Sequence, residues 1–388
     1  MFLEMKEEEC CGCSACMNIC PTKAIQMKAK ELDGFLYPII NKEKCVKCGL
    51  CERVCPLKIE DKKSNEFKNI KTFVALNNNE KIRRTSSSGG IFVPLSDILL
   101  REEGVIYGAK YDSNLNVVHG RADNKNERDE FKGSKYVQSN VNNMLENVKR
   151  DLKSGKKVMF SGTPCQVSGL NKYLKLCSVD TKNLVTVDLV CHGAPSPKIY
   201  KENIKYLESK FSSKINKINF RGKVIKNQIQ DLKIDLDNGR TVSIMPKNDL
   251  YYSLFLHDII LRPSCYKCRF ANLNRQSDIT LADCWNVENV YPELQDFKGI
   301  SMVLINSNKG EEIFNKISDN IEFKETSINK CMQRNLYEPC NKPKLSYVFW
   351  KYIQKKDYRE SIMFTKIIVT IPRIKHAFIN RISSLFKK

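Results

Sequence analysis

Long apolar runs are missing from the chain: nothing in its 388 residues approaches the length of a bilayer span. A secretory leader is missing too, because Met1-Phe2-Leu3 passes directly into the charged stretch Lys6-Glu7-Glu8-Glu9. A reducing cytoplasm is therefore the expected compartment. Acid is scarce, with 44 Asp and Glu against 65 Lys and Arg, and the formal net charge is +21. Such a charge raises nucleic acid as a partner. The lysines are spread along the chain, however, and no helix-turn-helix, zinc-finger or RNA-binding signature accompanies them, so no nucleic acid is expected. An evenly basic surface suits anionic small ligands or an acidic protein partner. Histidine is rare, with four in the chain, and only His192, beside Cys191, sits in a suggestive place.

Cysteine, by contrast, is abundant, with 17 in the chain. Eight of these repeat one spacing twice: Cys10-x2-Cys13-x2-Cys16-x3-Cys20-Pro21, then Cys45-x2-Cys48-x2-Cys51-x3-Cys55-Pro56. Three thiolates a turn apart can wrap three corners of a cubane, while a ligand four residues further on points away and serves the other cluster. This reading assigns Cys10, Cys13, Cys16 and Cys55 to one [4Fe-4S] centre and Cys45, Cys48, Cys51 and Cys20 to the second. A zinc site and a disulfide framework are the competing readings of Cys-x2-Cys pairs. Two complete runs, each closing on Cys-Pro, and the absence of export signals favour iron and electron transfer. Cys11 lies off the spacing and is read as a spectator.

The length implies more than one unit. Residues 1–60 form the dicluster ferredoxin module and the polar stretch 61–71 a linker. An α/β body spans 72–150 and 151–320, and a helical, basic C-terminal region spans 321–388, so the fold class is a multidomain α+β or α/β protein. Ser87-Ser88-Gly89-Gly90 precedes apolar residues at helical spacing. Small residues there can free backbone N–H groups for an anion, or simply cap and turn the helix. Strands are predicted at 105–111, 157–160 and 184–190, with a hairpin turn at Asp237-Asn238-Gly239. Two of these strands run into Cys165 and Cys191, and ligands gather at the carboxyl ends of strands in such sheets. With the pair Cys265-x2-Cys268 they make a four-thiol set for a third cluster. The alternative is that Cys165 and Cys191 are buried small hydrophobes, and spacing alone leaves this open.

Six ordered motifs carry a resemblance across residues 5–305. They are Ser-Ser-Gly-Gly at 87–90, Thr-Pro-Cys-Gln at 163–166, Cys-His-Gly-x-Pro-Ser-Pro at 191–197, Phe-Arg-Gly-Lys at 220–223, Arg-Pro-Ser-Cys-x2-Cys at 262–268 and Ser-Asp-Ile-Thr-Leu-Ala-Asp at 277–283. Together they resemble the coenzyme F420 hydrogenase/dehydrogenase beta-subunit family. The resemblance divides the body into that family's N-terminal-like region (72–150) and C-terminal-like domain (151–320). It implies FAD and a [4Fe-4S] cluster held by Cys165, Cys191, Cys265 and Cys268. It also implies flavin or phosphate contacts from Ser87, Ser88, Gly89, Gly90, Thr163, Gln166, Arg221, Lys223 and Asp283, and a catalytic or loop-capping role for His192.

The expected activity is an oxidoreductase that takes electrons from a redox partner protein or reduced ferredoxin. They pass through the clusters and FAD to a small two-electron acceptor, coenzyme F420 or another substrate, with surface-polysaccharide biosynthesis among the settings of bacterial relatives. An electron-transfer subunit without its own catalysis and a flavin-free scaffold or sensor are the rivals. The chain departs from the family pattern at Cys284, read as packing rather than as an alternative ligand. From Lys366 to Lys388, basic and apolar residues interleave with no acid, a pattern that can lie on an anionic bilayer surface or pack against protein.

Overall fold

A computed structural model describes residues 6–58, 70–223, 231–285, 287–294, 296, 298–354, 358 and 360. Residues 61–69 of the expected linker and the whole basic stretch Lys366–Lys388 lie outside the described residues.

The N-terminal module is built on an antiparallel hairpin of β1 (Ile25–Ala29) and β2 (Leu36–Ile40), with Ile25 opposite Ile40. One cysteine loop precedes β1 and the other follows β2, each turning into a short helix, Ala15–Ile19 and Leu50–Arg53. The loops repeat a backbone device as well as a spacing. Gly12 (φ 71°) and Ser14 (62°) in the first, and Lys47 (54°) and Gly49 (73°) in the second, are left-handed at matching positions. Such a conformation curls the chain around a central volume.

The body holds strands β3 (Lys71–Asn77), β4 (Val105–Tyr111), β5 (Val117–Ala122), β6 (Val158–Ser161) and β7 (Leu184–Leu189). Strands β8 (Ile215–Asn219), β9 (Leu232–Leu236) and β10 (Thr241–Ile244) form a separate antiparallel sheet, with β9 and β10 joined at Asp237-Asn238-Gly239. The chain then adds β11 (Ile279–Asp283), β12 (Ser301–Ile305) and β13 (Ile321–Thr326). The main sheet runs β13-β3-β12-β11-β7-β6-β4-β5. Its centre, β11-β7-β6-β4, is parallel, and both flanks are antiparallel. The parallel strands are apolar runs covered on both faces, as Val158, Met159 and Phe160 illustrate with no exposed surface. The helices Phe92–Arg101, Met144–Lys153 and Pro164–Leu176 cover the sheet.

The expected strands at 105–111, 157–160 and 184–190 and the hairpin at 237–239 are all present within a residue or so. The C-terminal region differs from its sequence reading. The residues after 320 begin not with helix but with β13, an edge strand paired to β3 from Ile321↔Asn77 to Thr326↔Thr72. Its alternation is dominated by charge, Ile-Glu-Phe-Lys-Glu-Thr, so the strand signal is weak and pairing supplies what the sequence does not. The helix Lys344–Ile353 then buries Leu345, Val348 and Phe349 in the core formed by Tyr251, Tyr252, Phe255 and the small sheet. These residues complete the body and are not an appendage to it.

Candidate functional site

Each cysteine loop encloses a cavity, and the fourth cysteine of each comes from the opposite run. One is lined by Cys10, Cys13, Cys16 and Cys55, with Cys11, Met27, Pro38 and Pro56 around them. The second is lined by Cys20, Cys45, Cys48 and Cys51, with Ile25, Ile40, Val46 and Leu50. Apolar walls and backbone N–H groups suit an iron–sulfur core: the Ala24 N–H lies 3.3 Å from Cys20 Sγ. The two cavities differ in their surroundings. Cys10, Cys13 and Cys55 are buried, whereas Cys48 is exposed.

The inner cavity sits against the body. Helix Pro164–Leu176 begins immediately after β6, with Pro164 at its first position and the Gln166 side chain accepting from the Thr163 N–H at 2.9 Å. Its Cys165 and Gly169 are four residues apart and so share one helix face. Gly169 is required there, because a Cβ would lie 2.9 Å from Cys13 Sγ. Asn18 of the module bonds the Asn142 carbonyl at 2.8 Å and accepts from the Glu146 N–H, completing the start of helix Met144–Lys153. Cys11, a spectator by spacing, has its thiol within hydrogen-bonding reach of both Cys13 and Cys165.

Cys165 and Cys191 leave the carboxyl ends of neighbouring parallel strands, and the short helix Pro263–Lys267 brings in Cys265 and Cys268. The Ala194 N–H points to Cys265 Sγ at 3.3 Å. All four thiols are made weaker acids by burial and by one another: Cys268 is pushed up to about 11 and Cys265 to about 12, and Cys191 and Cys165 are also raised, Cys165 most by its contact with Cys11. A set of mutually repelling thiolates is what a bound cation stabilises, so the donor chemistry fits a metal cluster. Cys284 lies elsewhere, its Sγ 3.6 Å from Cys331 Sγ in a separate apolar core.

The polar residues expected around a flavin fall into two groups. Thr163 and Gln166 belong to the cysteine side: Thr163 Oγ1 lies 3.2 Å from Cys165 Sγ, and Gln166 is buried and donates to Ser139. Ser87, Ser88, Gly89, Gly90, Arg221, Lys223 and Asp283 gather near the start of β12. The Ser87–Gly90 turn is not an open row of N–H donors. The Gly89 N–H is taken by Ser301 Oγ at 2.9 Å, and Ser88 Oγ donates to the Ile300 carbonyl. Gly90, at φ 81°, turns the chain into the following helix. Arg221 forms a bidentate pair with Asp283 at 2.7 and 3.1 Å. Lys223 Nζ donates to the carbonyls of Arg83, Ser88 and Lys298.

Residues 9–59 match the model of the 4Fe-4S dicluster domain. Residues 155–330 match the model for the C terminus of the coenzyme F420 hydrogenase/dehydrogenase beta subunit. The chain belongs to the coenzyme F420 hydrogenase/dehydrogenase beta-subunit family. It is an iron–sulfur electron-transfer protein of the oxidoreductase class. A comparison with the curated proteins finds no match. Among solved structures, the chain is similar to a chain of the F420-reducing [NiFe] hydrogenase complex from Methanosarcina barkeri, studied by xenon derivatization. The identity is 17%, covering 79% of this chain and 93% of that one, with a TM-score of 0.46. Among the described residues no helix is long and apolar enough to cross a membrane.

Other parts of this family member's site were not legible from motifs. Lys132-Gly133-Ser134-Lys135-Tyr136 lies across from the Ser87 turn, with the Ser134 N–H donating to Ser87 Oγ at 2.5 Å. Desolvation pushes the Lys135 and Lys223 ammonium groups down to about 7. The Tyr136 hydroxyl accepts from Arg221, and its ring packs 4.8 Å from that of Phe255. Phe255 in turn meets the His192 ring edge-on at 4.8 Å, so aromatic contacts link the Cys191 loop to the Arg221–Asp283 pair. The His192 ring is held by Asp258, Nε2 to Oδ1 at 2.7 Å, and its backbone carbonyl accepts from the Cys340 thiol at 3.0 Å. Lysines flanking a Gly-Ser pair were the available sequence signal for 132–136. Asp258 and Cys340 had none.

Proposed function

We propose that the chain is an iron–sulfur flavoprotein oxidoreductase that moves electrons between a protein donor and a small two-electron acceptor of the coenzyme F420 kind. The observation that carries this is the contact of the inner cysteine cavity with Cys165: Cys13 presses on Gly169, and Cys11 spans Cys13 and Cys165. Three cysteine groups are thereby set in series. Cys20, Cys45, Cys48 and Cys51 face solvent and would hold an outer cubane. Cys10, Cys13, Cys16 and Cys55 would hold an inner one, and Cys165, Cys191, Cys265 and Cys268 one in the body.

The polar group fits the anionic part of a dinucleotide. Lys223 and Lys135 have ammonium groups bonded to backbone carbonyls and depressed toward neutrality by desolvation. Adding an anion there restores their charge and gives them an acceptor of full strength. Ser87, Ser134, Lys135 and Lys223 are the residues that would hold such a group, and the Arg221–Asp283 pair would fix its orientation. FAD bound there supplies the exchange between one-electron and two-electron chemistry. Asp258 orients His192, whose ring is partly open to solvent and can carry a proton beside Cys191. Gln166 and Thr163 hold the Cys165 turn in place.

Anaerobic purification with FAD reconstitution tests the reading. About twelve iron and one flavin per chain are expected, with reduction of a deazaflavin or similar acceptor by protein charged with reduced ferredoxin. Full iron with no retained flavin would leave an iron–sulfur carrier only. Turnover seen only after adding a second protein would make the chain a non-catalytic subunit.

A further inference from the structure

Arg262 is a buried cation whose bonds are all to neutral oxygens. Its relative exposure is 0%. Nε donates to the Cys10 carbonyl at 2.6 Å, Nη2 to the Leu36 carbonyl at 2.9 Å and Nη1 to the Gln138 side-chain oxygen at 2.8 Å. The guanidinium carbon lies 4.3 Å from the centroid of the Tyr37 ring and 5.2 Å from that of Phe35. Its own backbone is anchored in the body: the Arg262 N–H donates to the Ala194 carbonyl, and the Arg262 carbonyl accepts from the Cys265 N–H. One residue thus begins beside the body cysteines and ends inside the ferredoxin module.

Among the described residues no carboxylate pairs with Arg262. Asp33, buried close by, accepts from the Phe35 N–H instead. Other buried arginine side chains in this protein are handled differently. Arg83 faces Asp296, Arg128 faces Asp97 and Asp129, Arg221 faces Asp283 and Arg275 faces Asp188. A guanidinium cannot shed its proton to escape burial, and a buried charge without a counter-charge is costly. The ionisable groups facing Arg262 are Tyr37 and the sulfurs of Cys10, Cys11 and Cys265. Cys10 belongs to the inner cavity and Cys265 to the body set.

We propose that Arg262 is the shared counter-charge of the inner and body clusters, docking the ferredoxin module on the body and easing the reduction of both. The proposal rests on the cluster assignment above. A cubane held by four thiolates is an anion, and net charge is one of the determinants of its potential. One added electron increases that negative charge without making or breaking a bond. Arg262 lowers the cost of that electron on either side. By reciprocity, reduction strengthens the grip of the clusters on Arg262, so the contact between module and body tightens in the reduced protein. The outer cavity has no part in the contact: Gly49, the counterpart of Ser14, has nothing within 4 Å of its missing Cβ.

The test compares Arg262→Met and Arg262→Lys with the parent chain, each purified anaerobically and assayed for iron and sulfide. Midpoint potentials are then read by EPR-monitored redox titration. In R262M the inner and body clusters should become harder to reduce by about tenfold in equilibrium constant, 59 mV for one electron, with the outer cluster moving less. R262K should recover at least half of that shift. A fully loaded R262M with unchanged potentials overturns the proposal while leaving the cluster assignment intact. A parent chain with fewer than three cubanes removes both. If R262M fails to retain iron, R262K decides: retained iron supports the role of charge, and equal loss in both variants contradicts it.

Discussion

The two cysteine runs share a spacing, a pair of left-handed backbone positions and a closing proline, yet they occupy different worlds. In the first, Gly12 faces Gln138 Nε2 and Arg262 Nη1, which a Cβ would approach to 2.7 and 2.9 Å, and Cys13 presses on Gly169. In the second, the Gly12 counterpart is an exposed lysine, Lys47, and Cys48 is exposed with Val46 beside it. The repeat therefore sets what each loop can bind, and its neighbours set what the bound group is for. One loop is placed to exchange electrons with the body and the other with an outside protein.

The comparison breaks most visibly at the crossed ligands. Cys55→Ala lies in the second run but lines the first cavity. It should remove about four iron per chain and bring transfer from the outer cluster to the body to background. Cys48→Ala should remove a similar amount of iron yet leave the inner and body clusters reducible by dithionite. If the two variants lose the same EPR signal, the crossing of ligands is wrong.

A smaller contrast is expected at the turns. Gly49→Ala bears mainly the left-handed penalty, about 1–2 kcal/mol. Gly12→Ala bears that and also displaces Arg262 and Gln138, for a loss of roughly 2–5 kcal/mol. Thermal unfolding of the loaded proteins measures both, and equal losses would deny that the first loop is the docked one.

The flavin side supplies a pH contrast. Lys135 and Lys223 titrate near about 7 when nothing anionic is bound. They are charged below that value and neutral above it, so affinity for FAD should fall as pH rises, by roughly tenfold from pH 6 to 9. Fluorescence titration at each pH checks this, and Cys48→Ala should leave the profile unchanged. A flat profile would remove these lysines from the site.

The smallest effect is at Cys11. Cys11→Ser should retain full iron and alter only the EPR line shapes of the inner and body clusters, with stability within about 1 kcal/mol of the parent. Val46→Ser, off the ligand pattern in the outer loop, should alter neither.

Much of this was legible in the sequence because the signals are local. The Cys-x2-Cys-x2-Cys-x3-Cys-Pro runs fix both loops, and the apolar runs at 105–111, 158–161 and 184–189 fix the parallel strands. The gathering of Cys165, Cys191, Cys265 and Cys268 followed from the rule that strand ends share a pole of the sheet. The missing parts are those that need distant partners. Ser87-Ser88-Gly89-Gly90 reads as an anion turn, but nothing local says that Ser301 takes the Gly89 N–H. Strand β13 is a charged hexapeptide until β3 pairs with it. Arg262 is one arginine among many until its side chain is followed into the module, where Cys10, Leu36 and Gln138 surround it.

Three cubanes in series are the centre of this mechanism, and iron with acid-labile sulfide per chain tests them most directly. The parent chain should hold about twelve iron and Cys191→Ser about eight, with the two ferredoxin signals of the variant intact. A parent chain with about eight iron that is unchanged by Cys191→Ser would contradict it, leaving two clusters and four buried cysteines with nothing to hold.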